Sequence, residues 1–139
     1  GREYEAVVHG GFRDDAGTVD APIGRHPVDR KRMAVTPKNS KPAVTHYEVI
    51  ARYRGYTRIL CRLETGRTHQ IRVHMASIGH PLLGDGVYGA PCPEKGLEGQ
   101  CLHARRLKFI HPRTGQLVRL EAPLPEYFTQ VISRLGNEI

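Results

Sequence analysis

Chemistry-bearing side chains crowd into ten consecutive residues, Thr65-Gly66-Arg67-Thr68-His69-Gln70-Ile71-Arg72-Val73-His74. Guanidinium, imidazole, hydroxyl and amide groups set this close together suit recognition of an anion, since each can donate a hydrogen bond and the arginines stay charged. Ile71, Met75 and Ile78 recur at i, i+4 and i+7, which predicts a helix over residues 67–78 stopped by Gly79. Thr68, His69 and Arg72 then share a polar face opposite that apolar stripe. The unpaired N–H groups and the dipole at the helix start favour a phosphate or carboxylate there.

Other chemistries fit less well. His69 and His74 are five residues apart, about 140° around a helix, so they do not converge on a metal ion as an HxxxH pair would. No metal site is expected. His69, His74, His80, His103 and His111 could in principle serve as acid and base in an RNA hydrolase, but nothing in the sequence pairs two of them, and most read as structural. The run Gly84-Asp85-Gly86-Val87-Tyr88-Gly89 lacks the Lys-Ser/Thr of a phosphate loop and opens no helix, so it does not read as a nucleotide cradle.

Charge adds to the anion reading. The formal net charge is +7, with 21 basic against 14 acidic residues, and it is unevenly spread. The first 24 residues are net acidic, whereas residues 25–41, 52–74 and 103–119 form three basic blocks. Converging on one face, such blocks would hold a polyanion through its phosphates; scattered, they would be an ordinary solvated surface. Cys61, Cys92 and Cys101 are odd in number and form no CxxC pair, so neither a disulfide framework nor a zinc site is suggested. No run approaches the ~20 apolar residues of a membrane span and the start GREYEAVV is not ordered like a signal peptide, so no membrane association and a cytoplasmic location are expected.

The elements that must position this cluster are mostly strands. Residues 4–9, 43–53 and 57–63 alternate polar and apolar, with Gly55 marking a hairpin between the last two. Residues 102–110 and 116–122 flank Pro112-Arg113-Thr114-Gly115, a second hairpin. Near the end, Phe128, Val131, Ile132 and Leu135 share one face of a helix predicted over residues 126–135. Residues 10–42, rich in glycine, proline and basic side chains, read as a long functional loop. The fold class is α/β of the α+β kind: one unit, residues 1–139, with a mainly antiparallel mixed sheet and a few helices.

The run ETGRTHQIRVHMASIGHPLLGDGVYG, residues 64–89, resembles the signature of the RluA/RluD-type family of RNA pseudouridine synthases. LHARRLKFIHPRTG and EAPLP resemble that family's closing strands, REYEAVVHG a strand just after its catalytic segment, and GTVDAPIGRHPVDRKRMAV with SKPAVTHY the branch that modifies ribosomal RNA. Essentially the whole chain is covered.

The resemblance implies isomerisation of uridine to pseudouridine in RNA, with ribosomal RNA as the expected substrate and no cofactor or metal. Arg72 matches the family arginine that pairs with the catalytic aspartate, and Tyr4 the tyrosine that stacks on the uracil and is a candidate for removing its carbon-bound proton. Ile71 matches the apolar lining of the uracil pocket. Arg67, Thr68, His69 and Gln70 suit phosphates or ribose of the flipped nucleotide, and Arg25, Arg30, Lys31, Arg32 and Lys41 suit loop contacts with RNA further out. The family's HRLD-like segment, which carries the nucleophilic aspartate, has no match in this sequence. The chain is therefore expected to be the C-terminal part of an incomplete catalytic domain, inactive alone, with Arg72 left without its partner and with exposed sheet edges that favour self-association. A non-catalytic RNA-binding module is the alternative reading.

Overall fold

The computed structural model describes residues 2–89 and 100–139. Its elements run β1 (Arg2–His9), β2 (Ala16–Asp20), β3 (Ile23–Arg25), β4 (Met33–Val35), β5 (Ser40–Lys41), β6 (Val44–Tyr53), β7 (Tyr56–Leu63), α1 (Gln70–Ser77), β8 (Leu102–Ile110), β9 (Leu117–Glu121) and α2 (Glu126–Arg134). Six strands form one sheet in the order β2-β6-β7-β1-β8-β9, and β4-β3-β5 form a second, small one. Every described pairing is antiparallel. The expected α+β architecture with a mainly antiparallel sheet and two helices is the one observed.

Strand β1 is central, and Ala6, Val7 and Val8 are all fully buried because both of its faces are covered. Ala6 and Val8 pack with Ile59 and Cys61 of β7 against Ile71 and Met75 of α1. Val7 points the other way, into Leu83, Cys101 and the Phe128–Val131 face of α2. The two helices thus cover opposite sides of the same strand, with α1 beside the N-terminal, chemistry-bearing end of β1. The Arg54-Gly55 turn joins β6 to β7, with Gly55 at φ +81°, a conformation that suits a residue without a Cβ.

Three expectations are corrected. Residues 10–42 are no structureless loop: β2 extends the main sheet, and β3, β4 and β5 close into the small sheet, where Gly24 lies so close to Asn39 that an added Cβ would stand 2.6 Å from its carbonyl oxygen. Strands this short, with few apolar residues, leave little alternation to read. Helix α1 starts at Gln70 rather than residue 67, because His69 takes a left-handed conformation (φ 55°) and interrupts the helical path. Ile78, expected on the buried stripe, is 38% exposed, since the helix ends one residue earlier. Among the described residues no helix is long and apolar enough to cross a membrane. Cys61 and Cys101 are buried free thiols, while Cys92 lies outside the described residues.

Candidate active site

The chain between β7 and α1 is held by a buried polar network. Thr65 accepts the Val44 N–H at 3.0 Å and donates its hydroxyl to Gln70 Oε1 at 2.8 Å; the same oxygen accepts the Arg67 N–H at 3.0 Å. Gln70 Nε2 donates to the Val44 carbonyl and to Thr45 Oγ1, each at 3.0 Å. From Thr45 the network continues to His74 Nδ1 at 2.8 Å, and His74 Nε2 donates to the Ala21 carbonyl at 2.9 Å. Gln70 is 3% exposed and His74 fully buried. Burial lowers the His74 imidazole from its ordinary range, against the opposing pull of the Ala21 carbonyl, so the neutral tautomer protonated on Nε2 fits both bonds.

That network fixes where α1 begins, and with it where Ile71 and Arg72 point. Tyr4 of β1, Gln70, Ile71 and Arg72 of α1, Gly66, Arg67, His69, Leu63, Leu102, Gln100 and Arg2 line one cleft of about 290 Å³. Tyr4 is placed by its register, opposite Cys61 on β7 and Ala104 on β8, where β8 carries an irregularity between its partners for Glu3 and Tyr4. Ile71 is 4% exposed, so it serves both as core and as an edge of the cleft wall. The cleft therefore offers an aromatic ring, an apolar side chain and a guanidinium from two elements that the core presses together, with Arg67 and His69 at the same opening.

Arg72 is not without a partner, contrary to expectation. Its Nε meets Asp85 Oδ2 at 2.9 Å and its Nη2 meets Oδ1 at 3.0 Å, an edge-on, two-bond clamp with the Asp85 side chain fully buried. Asp85 Oδ1 also accepts the N–H groups of Val87 and Tyr88 at 3.1 and 3.2 Å. Burial alone would push the Asp85 carboxyl up; the bonds from Arg72, Tyr88 and Val87 outweigh it and hold the group below its ordinary range. The hydrogen bond to Asp85 raises the Arg72 guanidinium in turn, against its burial. The Tyr88 ring lies 5.0 Å from the guanidinium carbon.

The remaining site residues separate. Gln70, expected to face phosphate or ribose, does line the cleft, but its amide oxygen and nitrogen are engaged in the buried network. Thr68 is exposed but does not line the cleft. Arg67 lines it while donating Nε–H to the Pro42 carbonyl at 2.8 Å. His69, displaced from the helix by its left-handed backbone, bonds through Nδ1 to the Tyr88 hydroxyl at 2.7 Å, so the expected helical face of Thr68, His69 and Arg72 does not form. Arg25, Arg30, Lys31, Arg32 and Lys41 belong to the small sheet and its connections, outside the cleft. Arg25 and Arg32 are spent partly on structure, through bonds to the carbonyls of Arg30 and Val87; Arg30 and Lys31 are exposed.

Asp85 and Tyr88 were missed in the sequence. One signal was available: Asp85 is the only acidic residue between Glu64 and Glu94, and so the natural partner for an arginine drawn into the core nearby.

A chain with this fold belongs to a known class. The sequence model of the RNA pseudouridylate synthase family matches residues 1–77, and the chain belongs to that family. It is 54% identical over 136 residues to an uncharacterized RNA pseudouridine synthase YlyB of Bacillus subtilis (strain 168), covering 96% of this chain and 44% of that protein. It is 50% identical over 143 residues to the ribosomal large subunit pseudouridine synthase D of Escherichia coli (strain K12), covering 94% of this chain and 43% of that protein. The chain thus spans less than half the length of these relatives. Among solved structures, the human RNA pseudouridylate synthase domain containing 1 superposes with a TM-score of 0.76 at 26% identity, over 96% of this chain and 64% of that one.

Proposed function

We propose that this chain forms part of an enzyme that isomerises uridine to pseudouridine in RNA, with large-subunit ribosomal RNA as its substrate and the cytoplasm as its compartment. The observation that supports it is the meeting of Tyr4, Ile71 and Arg72 in one cleft. A uracil turned out of an RNA strand needs an aromatic or apolar wall, which Tyr4 and Ile71 supply. Breaking its N-glycosidic bond by a carboxylate nucleophile needs that carboxylate ionised, which a guanidinium favours. Forming the C–C bond then needs a proton taken from the uracil carbon, a task within reach of the Tyr4 oxygen at the cleft wall. Arg30, Lys31 and Lys41 would hold phosphates further along the strand. For residues 1–139 alone the reading is RNA binding without turnover, because no aspartate here stands in an HRLD-like context.

The test is a pseudouridine assay of the full product of the gene that encodes this sequence, on ribosomal RNA lacking the modification. Pseudouridine is expected, with Arg72→Ala abolishing it and Tyr4→Phe slowing it by about 10²–10⁴-fold. Unmodified RNA after prolonged incubation with folded protein would overturn the reading.

A further inference from the structure

Arg72 is presented to the cleft by residues that do not line it. Asp85 takes its Nε and one Nη2 proton and stands behind it, fully buried. Guanidinium carries five N–H donors in a fixed fork, so the Nη1 edge and the second Nη2 proton stay available to an anion in the cleft. Two contacts prevent rotation about this clamp. The Tyr88 ring packs against the guanidinium at 5.0 Å, and the backbone turn that carries Tyr88 is itself pinned by the Val87 and Tyr88 N–H groups on Asp85 Oδ1.

Tyr88 is anchored from two further sides. Its hydroxyl accepts the Met33 N–H at 3.0 Å and is hydrogen-bonded to His69 Nδ1 at 2.7 Å. Arg32 Nη1 donates to the Val87 carbonyl at 3.1 Å. Arg32 and Met33, at the start of β4, therefore grip Val87 and Tyr88 in the turn that follows Asp85.

We propose that Asp85 and Tyr88 are positioning residues for Arg72, Asp85 fixing which edge of the guanidinium faces the cleft and the Tyr88 hydroxyl tying that orientation to the basic segment at residues 32–33. This deepens the isomerase reading and rests on it for its effect on turnover. Neither residue lines the cleft; Asp85 acts through Arg72, and Tyr88 through Arg72 and through His69, which its hydroxyl holds.

The test has two arms. In steady-state pseudouridine formation by the full-length protein, Tyr88→Phe keeps the ring and loses only the hydroxyl; it is expected to lower kcat about tenfold while KM for RNA stays within about twofold. A variant with unchanged kcat, or one whose loss lies wholly in KM, overturns the role of the hydroxyl. In the second arm, the Arg72 Nε–H signal of the ¹⁵N-labelled protein is followed by NMR. It is expected to exchange slowly with water in the parent protein and in Tyr88→Phe, and fast in Asp85→Asn. Exchange in the parent as fast as that of exposed arginines overturns the clamp. Should the parent protein make no pseudouridine, the isomerase reading falls, and the NMR arm decides the positioning of Arg72 without it.

Discussion

Thr45 on β6 gives its hydroxyl proton to Nδ1 of His74 on α1 at 2.8 Å, and this bond ties the helix that bears Arg72 to the sheet. Because the folded imidazole is held below its ordinary value of 6.5, chiefly by burial, the unfolded chain binds the extra proton first as pH falls. The stabilisation is complete above about 6.5 and lost as pH drops through that value towards the folded one. The melting temperature is therefore expected to fall between neutral pH and about pH 5, and His74→Gln to flatten that limb. An equally steep limb in the variant would assign the titration elsewhere.

The Arg72–Asp85 clamp makes a second stability prediction. Removing one partner of a buried pair strands the other, at a cost of about 3–5 kcal/mol, so Asp85→Ala is expected to lower the urea midpoint clearly at pH 7. Asp85 is held below its ordinary value of 3.8, so its contribution is complete above that value and disappears as pH falls through the folded one. The gap between parent and variant should thus close in strong acid. A gap that does not narrow at all as pH falls into strong acid would mean that lost packing, not charge pairing, explains the variant.

How much of this was legible in the sequence depends on the local pattern. Strands β1, β6, β7, β8 and β9 alternate, or run apolar where two layers cover them, and their predicted bounds differ from the observed ones by a residue or two. Tyr4, Ile71 and Arg72 were anticipated as one site through the family resemblance and not through any local pattern; the structure brings them to one cleft. The small sheet could not, since two- and three-residue strands hold by close backbone approach, as at Gly24, rather than by an apolar stripe. Gln70 read as a ligand contact because a polar residue at a helix start is ordinarily exposed. Only its tertiary partners, Val44 and Thr45 of β6, turn its amide inward while the residue stays at the cleft wall. The pairing of Arg72 with Asp85 spans a turn whose path no periodicity records.

Burial gives the thiols a simple chemical signature. Cys61 and Cys101 are both pushed up to about 12 by loss of solvent, so almost no thiolate exists at pH 8. The native chain is expected to leave both unalkylated by iodoacetamide over a time that fully labels them in guanidinium, read by peptide mass mapping. Rapid labelling of Cys61 in the native chain would show that β7 opens away from β1 far more often than its place at the centre of the sheet allows.

The self-association carried over from the sequence concerns the sheet's outer strand. Strand β9 is an edge, and the β8–β9 hairpin leaves Ile110 61%, Leu117 51% and Leu120 54% exposed. An apolar edge with free N–H and C=O groups is a template for pairing with another chain. Residues 1–139 in isolation are expected to show a concentration-dependent mass by light scattering. Leu117→Lys with Leu120→Lys should suppress it while leaving the circular dichroism unchanged; a monomeric parent at high concentration would count against the idea.

Under the proposed function, salt dependence is expected to separate basic residues that meet RNA from those that hold the fold. Lys31 is exposed and makes no ion pair among the described residues, whereas Arg32 bonds to the Val87 carbonyl and sits beside His26 and Asp29. Each phosphate contact contributes close to one to the slope of log affinity against log salt. Lys31→Ala is expected to reduce that slope by about one and weaken binding of single-stranded and structured RNA alike, with the melting temperature unchanged. Arg32→Ala should instead lower the melting temperature, because it frees the segment that grips Val87 and Tyr88. If Lys31→Ala left the slope intact while Lys41→Ala reduced it, the RNA would follow the β5 side of the small sheet rather than the turn between β3 and β4.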